Sequence, residues 1–238
     1  MEVIKYGTLP NGDIVSQIII KNSKNTEARI ITYGGAVTHL FVNDKNGQLV
    51  DVVLGYDSLE DYIRSSSYCG VIVGRHANRI KNASLIIDGT EYRVTANEGE
   101  NSLHSGPMGF DRKNFSYQVI DEHSVKLYAT SPDGEEGFPG NLDLEVIYEL
   151  DEDNRLIMNY RAITDKATVV NITNHAYFNL NGYDSGSAMG HLLMIQSDKI
   201  TENDVKSVPT GNFIPVAGTP FDFTLERAIG ERIGDDHQ

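Results

Sequence analysis

Four stretches of this sequence place polar, ionisable and glycine residues where strand pairing alone needs none of them. Gly74-Arg75-His76-Ala77-Asn78-Arg79-Ile80 follows an apolar run, and its small residues would let two guanidinium groups approach a common point. Asn97-Glu98-Gly99-Glu100-Asn101-Ser102-Leu103-His104-Ser105-Gly106 is an amide- and glycine-rich loop carrying one imidazole. Asn171-Ile172-Thr173-Asn174-His175-Ala176-Tyr177-Phe178-Asn179-Leu180 sets a polar patch inside an apolar strand pattern, which is costly unless each group finds a partner. In a strand, Thr173, His175 and Tyr177 would share one face. Ser131-Pro132-Asp133-Gly134-Glu135-Glu136-Gly137-Phe138-Pro139-Gly140 has the composition of tight turns. Each stretch also has a plain structural reading: arginines paired at strand ends, a solvated loop histidine, a satisfied core histidine, a turn. Several chemistries are disfavoured outright. The glycine spacing fits neither a dinucleotide nor a phosphate loop, and no Gly-x-Ser-x-Gly nucleophile elbow occurs. His39, His76, His104 and His175 are spread without a metal-ligand spacing, so no metal is expected.

The elements that must position these groups are mostly strands. Leu142-Asp143-Leu144-Glu145-Val146-Ile147-Tyr148-Glu149-Leu150 alternates apolar and polar residues as a half-buried strand does. Asp151 to Asn154 reads as a turn and Arg155 to Ala162 as the antiparallel partner. Ala28 to Tyr33 and Ala36 to Val42 are two β-rich runs split by Gly34-Gly35, and Leu85 to Val94 is a hairpin turning at Asp88-Gly89. Ser58 to Ile63 is the one convincing helical signal, opening with a serine cap. Short strands with turns every ten residues or so predict an all-β protein, an antiparallel sandwich or barrel. No linker divides residues 1–238, which read as one domain.

Composition bounds the partners. Twenty Lys and Arg against 34 Asp and Glu give a net charge of −14. Such a surface fits neither nucleic acid nor an anionic membrane. A single cysteine, Cys69, excludes an internal disulfide and reads as a buried small hydrophobe. With no secretory signal visible and no membrane-length apolar run, a reducing cytoplasmic location is expected.

Together the polar stretches resemble the aldose 1-epimerase (galactose mutarotase) family. Gly74 to Ile80 is similar to its Gly-Arg-x-Ala-Asn-Arg-Ile signature. Asn101 to Gly106 is similar to its Asn-x-Leu-His-Gly-Gly loop, with Ser105 in place of the first glycine, and Thr173 to Leu180 to its Thr-Asn-His-x-Tyr-Phe-Asn-Leu strand. Asp133 to Gly140, Pro209-Thr210-Gly211 and Phe221-Asp222-Phe223 recur in the same order. The resemblance implies a large antiparallel β-sandwich (a mutarotase-like supersandwich) that interconverts the α and β anomers of free hexoses such as glucose and galactose, without metal or cofactor. It implies His175 as proton donor to the ring oxygen, His104 as the group that holds or polarises that oxygen, and Asn78 with Arg79 as binders of sugar hydroxyls. Imidazole, with an ordinary pKa near ~6.5, suits the acid role. Arg75 reads as structural support.

The family's general-base glutamate and a sugar-binding aspartate are expected beyond Gln238, so the chain reads as truncated at its C-terminus and impaired as it stands. Asp236-His237 reads as a decoy for the family's Asp-His segment. Two alternatives keep the fold: a non-catalytic sugar-binding protein, and an epimerase of hexose 6-phosphates, which would want extra Lys or Arg at the cleft. With no Trp in the chain, Phe178 and the tyrosines are expected to provide any aromatic stacking surface for a pyranose.

Overall fold

Leu142, Leu144, Val146, Tyr148 and Leu150 alternate with polar neighbours, and all five are fully buried along one face of a nine-residue strand in the computed structural model, which describes residues 1–235. By its internal contacts the chain divides into two compact units, Met1–Phe178 and Asn179–Gln238. In the first, β1 (Glu2–Thr8), β2 (Ile14–Lys21), β3 (Glu27–Ile31), β4 (Val37–Asn43) and β5 (Leu49–Asp51) form an antiparallel sheet in sequential order. Next come helix α1 (Leu59–Arg64), the short strands β6 (Ile72–Val73) and β7 (Arg79–Ile80), the hairpin β8 (Ser84–Ile87) and β9 (Thr90–Arg93), and β10 (Ser102–Leu103). A second antiparallel sheet is built from β11 (Ser116–Val119), β12 (Ser124–Ser131), β13 (Leu142–Leu150) and β14 (Leu156–Thr164). Strand β15 (Thr173–Asn174) pairs with β6, and β10 pairs with β7.

The core joins the two sheets. Ile18, Ile20, Ala28, Ile30 and Val37 from the first pack with Val125, Leu127 and the five buried residues of β13 from the second, around Ile72, Phe110 and Phe115. This is an antiparallel β-sandwich, with inward apolar residues alternating with outward polar ones. The Tyr148 hydroxyl, fully buried, donates to the Gly35 carbonyl at 2.7 Å, so its polar end is satisfied. Ser58 caps α1 by accepting from the Asp61 N–H. Among the described residues, no helix is long and apolar enough to cross a membrane.

In the second unit, β16 (Leu192–Leu193) pairs with β19 (Arg227–Ala228), and β17 (Lys199–Asn203) with β18 (Pro209–Pro215). His191 orders its start: Nε2 accepts from the Leu180 N–H at 2.8 Å, and Nδ1 lies 2.8 Å from the Ala188 carbonyl. Asp222 is a turn residue, accepting from the Thr224 N–H and hydroxyl. Asp236 and His237 lie outside the described residues.

Three sequence expectations are corrected. The 171–180 stretch is a strand only at Thr173–Asn174. Beyond that, the Asn174 side chain takes the Ala176 N–H at 2.9 Å, a local bond that competes with a ladder. Cys69 is half-buried, its thiol facing the Tyr56 hydroxyl. The two guanidinium groups of the first stretch do not approach a common point. Arg75 is 2% exposed and points into the 131–140 loop, where it donates to the Ser131 hydroxyl and to the carbonyls of Ser131, Pro132, Pro139 and Gly140 at 2.7–3.0 Å. Arg75 is therefore the pin that orders the Gly- and Pro-rich turn. Arg75→Met, which removes every donor and strands those carbonyls, is expected to cost on the order of 3–5 kcal/mol. Ser131→Ala should cost only about 1 kcal/mol. Urea unfolding at unchanged m-value is the check.

Candidate functional site

All four polar stretches are joined by hydrogen bonds: Arg75 ties the first to the 131–140 turn, and further bonds gather the other two around it. The Ala77 N–H donates to the Asn171 carbonyl and the Asn171 N–H to the Arg75 carbonyl, both at 2.7 Å, tying the 74–80 loop to the chain that leads to His175. The His76 N–H donates to the Ser105 hydroxyl at 2.7 Å, tying the same loop to the 97–106 segment. Asn78 and His104 then make a reciprocal pair. The His104 N–H donates to the Asn78 carbonyl at 3.1 Å, while the Asn78 N–H donates to His104 Nδ1 at 3.0 Å. Asn78, His104 and Ser105 all have positive φ (68°, 53° and 73°), an uncommon conformation outside glycine that the surrounding bonds hold in place. Ser105, where the resemblance expects glycine, offsets that cost through its two bonds to His76.

The Asn78 bond decides the chemistry of His104. A neutral imidazole that accepts at Nδ1 carries its proton on Nε2 and presents that N–H as a donor. Burial pulls the His104 pKa down to about 4, and the charges of His175 and Arg79 push the same way. Protonation would also set an Nδ1–H against the Asn78 N–H. His104 is thus a neutral donor at physiological pH.

His175 stands beside it. Its N–H donates to the Val71 carbonyl at 2.8 Å and its carbonyl accepts from Gly70 at 3.1 Å. Gly70 has φ +70°, and a side chain there would meet the Val37 carbonyl oxygen at 2.2 Å, so only glycine lets the segment run this close. The His175 ring meets the His104 ring edge to face at 5.3 Å and lies 5.0 Å from Tyr177 and 5.9 Å from Tyr68. Tyr68 in turn meets His104 edge-on at 4.6 Å. Burial pushes the pKa of the Tyr68 and Tyr177 hydroxyls up, so both stay neutral. Phe178 is exposed and pairs through its backbone with Val53.

Arg79 sits across β7·β10 from Leu103, the residue before His104. Its Nε and Nη2 donate to the two oxygens of Glu98 at 2.5 and 2.7 Å, and Nη1 donates to the Asn78 side-chain oxygen at 3.3 Å. That pairing holds the Glu98 carboxyl below its ordinary pKa. His76 Nδ1 is buried without a partner among the described residues, and burial lowers its pKa. Among the described residues, no three His, Cys, Asp or Glu side chains converge as a metal site would need.

The structure therefore brings His104, His175, Asn78 and Arg79 together. Sequence reading did not assign Tyr68 or Glu98 a place here. Glu98 lay inside the second stretch, but nothing in its spacing links it to Arg79. Tyr68 was legible only as a neighbour of Cys69.

The arrangement has relatives. The aldose 1-epimerase family profile matches residues 16–238. Over 232 residues the sequence is 40% identical to the galactose mutarotase of Bos taurus, covering 98% of this chain and 67% of that protein. It is 34% identical over 230 residues to the aldose 1-epimerase of Escherichia coli K12, covering 96% and 66%. The crystal structure of an aldose epimerase homologue from C. elegans superposes with a TM-score of 0.88 at 32% identity, over 94% of this chain and 68% of the other. The chain thus spans about two thirds of the length of these relatives.

The tautomer is directly testable. Imidazole ¹⁵N NMR is expected to show His104 with its proton on Nε2. Because its folded pKa is depressed, the folded chain should take up this proton only as pH falls through about 4, whereas an unfolded histidine does so near ~6.5. The His104 contribution to stability is full above that upper value and declines as pH falls towards the lower. A His104 resonance titrating near 6.5 in the folded protein would contradict the geometry.

Proposed function

The chain belongs to the aldose 1-epimerase family of isomerases, and we propose that the group of side chains around His104 and His175 interconverts the α and β anomers of a free aldohexose. The observation that supports this reading most is the edge-to-face pair of imidazoles beside an amide and a guanidinium. Anomer exchange needs the bond between C1 and the ring oxygen to break. A base removes the proton of the anomeric hydroxyl, its O–H electrons form the C1 carbonyl, and an acid delivers a proton to the departing ring oxygen. Rotation about C1–C2 and reclosure on the other face give the second anomer.

In this reading His175 gives the proton, and the Nε2–H of His104 donates a hydrogen bond to the same oxygen as negative charge grows there. Asn78 and Arg79 orient the substrate through its hydroxyls. Tyr68 and Tyr177 supply aromatic surface in a chain without tryptophan. The site holds a guanidinium whose charge Glu98 balances, which favours an uncharged sugar over a hexose 6-phosphate. The family match runs through both units, which supports reading residues 1–238 as one mutarotase-like domain. We place the protein in a reducing, cytoplasmic compartment, on the strength of a lone cysteine that can form no internal disulfide within these residues.

The carboxylate described beside these groups, Glu98, is not free to serve as the base. Glu98, whose charge reaches His104, has both oxygens committed to Arg79. The resemblance puts the family's base beyond Gln238. A polypeptide of these 238 residues is therefore expected to bind aldoses and to turn them over slowly. Polarimetry of freshly dissolved α-D-glucose or α-D-galactose, with the 6-phosphates run in parallel, measures both. In a form carrying the family's C-terminal third, His175→Asn should lower the rate by about 10²–10⁴-fold. Sugar affinity should survive that change. A fully active His175→Asn variant would remove the acid from this mechanism.

A further inference from the structure

We propose that Glu98 is a positioning residue for sugar binding: its carboxylate grips one edge of the Arg79 guanidinium and leaves the other edge's donors for substrate hydroxyls. This rests on the sugar reading above.

The grip is two-pronged, with Nε on one Glu98 oxygen and Nη2 on the other, and Nη1 bonded to the Asn78 side chain. One N–H on each Nη nitrogen then has no protein partner among the described residues. Both hydrogens lie in the guanidinium plane, so each has a fixed direction along which a sugar hydroxyl can accept. Without Glu98, the guanidinium would swing on a flexible stem, and its directional donors would have to be ordered at each binding event.

Glu98 is itself held. Its N–H and that of Asn97 both donate to the Asn101 carbonyl, and the Asn101 N–H donates back to the Glu98 carbonyl, all at 3.0–3.1 Å. The Asn97 side chain brackets Leu103, accepting from its N–H at 2.7 Å and donating to its carbonyl at 3.0 Å. Asn101 accepts from the Asn82 N–H at 3.0 Å. The loop that aims Glu98 thus runs straight into the strand that delivers His104, opposite Arg79.

Stability does not explain the pair. Its side chains are 22% and 38% exposed, and ion pairs so placed add little to folding. Their geometry bears on where the guanidinium points. The Glu98 charge also partly counters the pull of Arg79 on the His104 imidazole.

The test titrates D-galactose and D-glucose into the 238-residue chain and its variants by NMR, following the Arg79 Nε–H signal and thermal unfolding alongside. Glu98→Ala and Glu98→Gln are expected to weaken aldose binding by about tenfold. Both should broaden the Arg79 Nε–H signal and leave Tm within about 3 °C of the parent. Glu98→Asp, which keeps the charge, should recover most of the affinity. Parent-like affinity in Glu98→Ala overturns the positioning role whatever the Nε–H signal does. Loss of the fold in both neutral variants also overturns it, since the pair would then be structural. A parent chain that shows no shift with either aldose sinks the sugar reading itself, which separates the two failures.

Discussion

The site depends on one reciprocal clasp, the backbone of Asn78 against the backbone and ring of His104. Two bonds of ordinary length do three things at once. They close the 74–80 loop onto the 97–106 segment, and they hold residues of positive φ that would otherwise relax. They also occupy Nδ1, so the one hydrogen of a neutral His104 must sit on Nε2. Geometry and protonation state are therefore the same constraint here. A side chain elsewhere could supply a donor of equal strength, but not one whose tautomer is set by the loop that positions the neighbouring arginine.

Around that clasp the two arginines of one short motif take opposite parts. Arg75 is buried and saturated by backbone carbonyls, so its charge organises a turn and is unavailable to any substrate. Arg79 is only partly covered, and its charge is met by Glu98 on one edge. The division follows from exposure. A guanidinium taken out of water needs its donors satisfied, and a loop rich in glycine and proline offers carbonyls at close range. Arg79 stays partly open to solvent, which can satisfy its remaining donors.

Legibility in the sequence tracked the range of the interaction. Strand β13 was plain because alternation is a local property, and every expected inward residue of it is buried. The Asp88-Gly89 hairpin and the Ser58-capped helix were plain for the same reason. The 171–180 stretch misled because its apolar pattern is that of a strand, while Asn174 spends its side chain on a nearby N–H and ends the ladder. Cys69 misled because its apolar neighbours hid the hydroxyl of Tyr56 opposite it.

From the sequence by itself came the all-β architecture and the polar stretches, since periodicity and turn chemistry are carried by neighbouring residues. The choice of His104 and His175 among the histidines came with the family resemblance. Only the tertiary structure decided that the imidazoles touch, that Arg75 serves the fold while Arg79 faces Glu98, and that His104 holds its proton on Nε2. Each of these turns on which groups from distant segments meet within hydrogen-bonding reach, and chain order does not encode that distance.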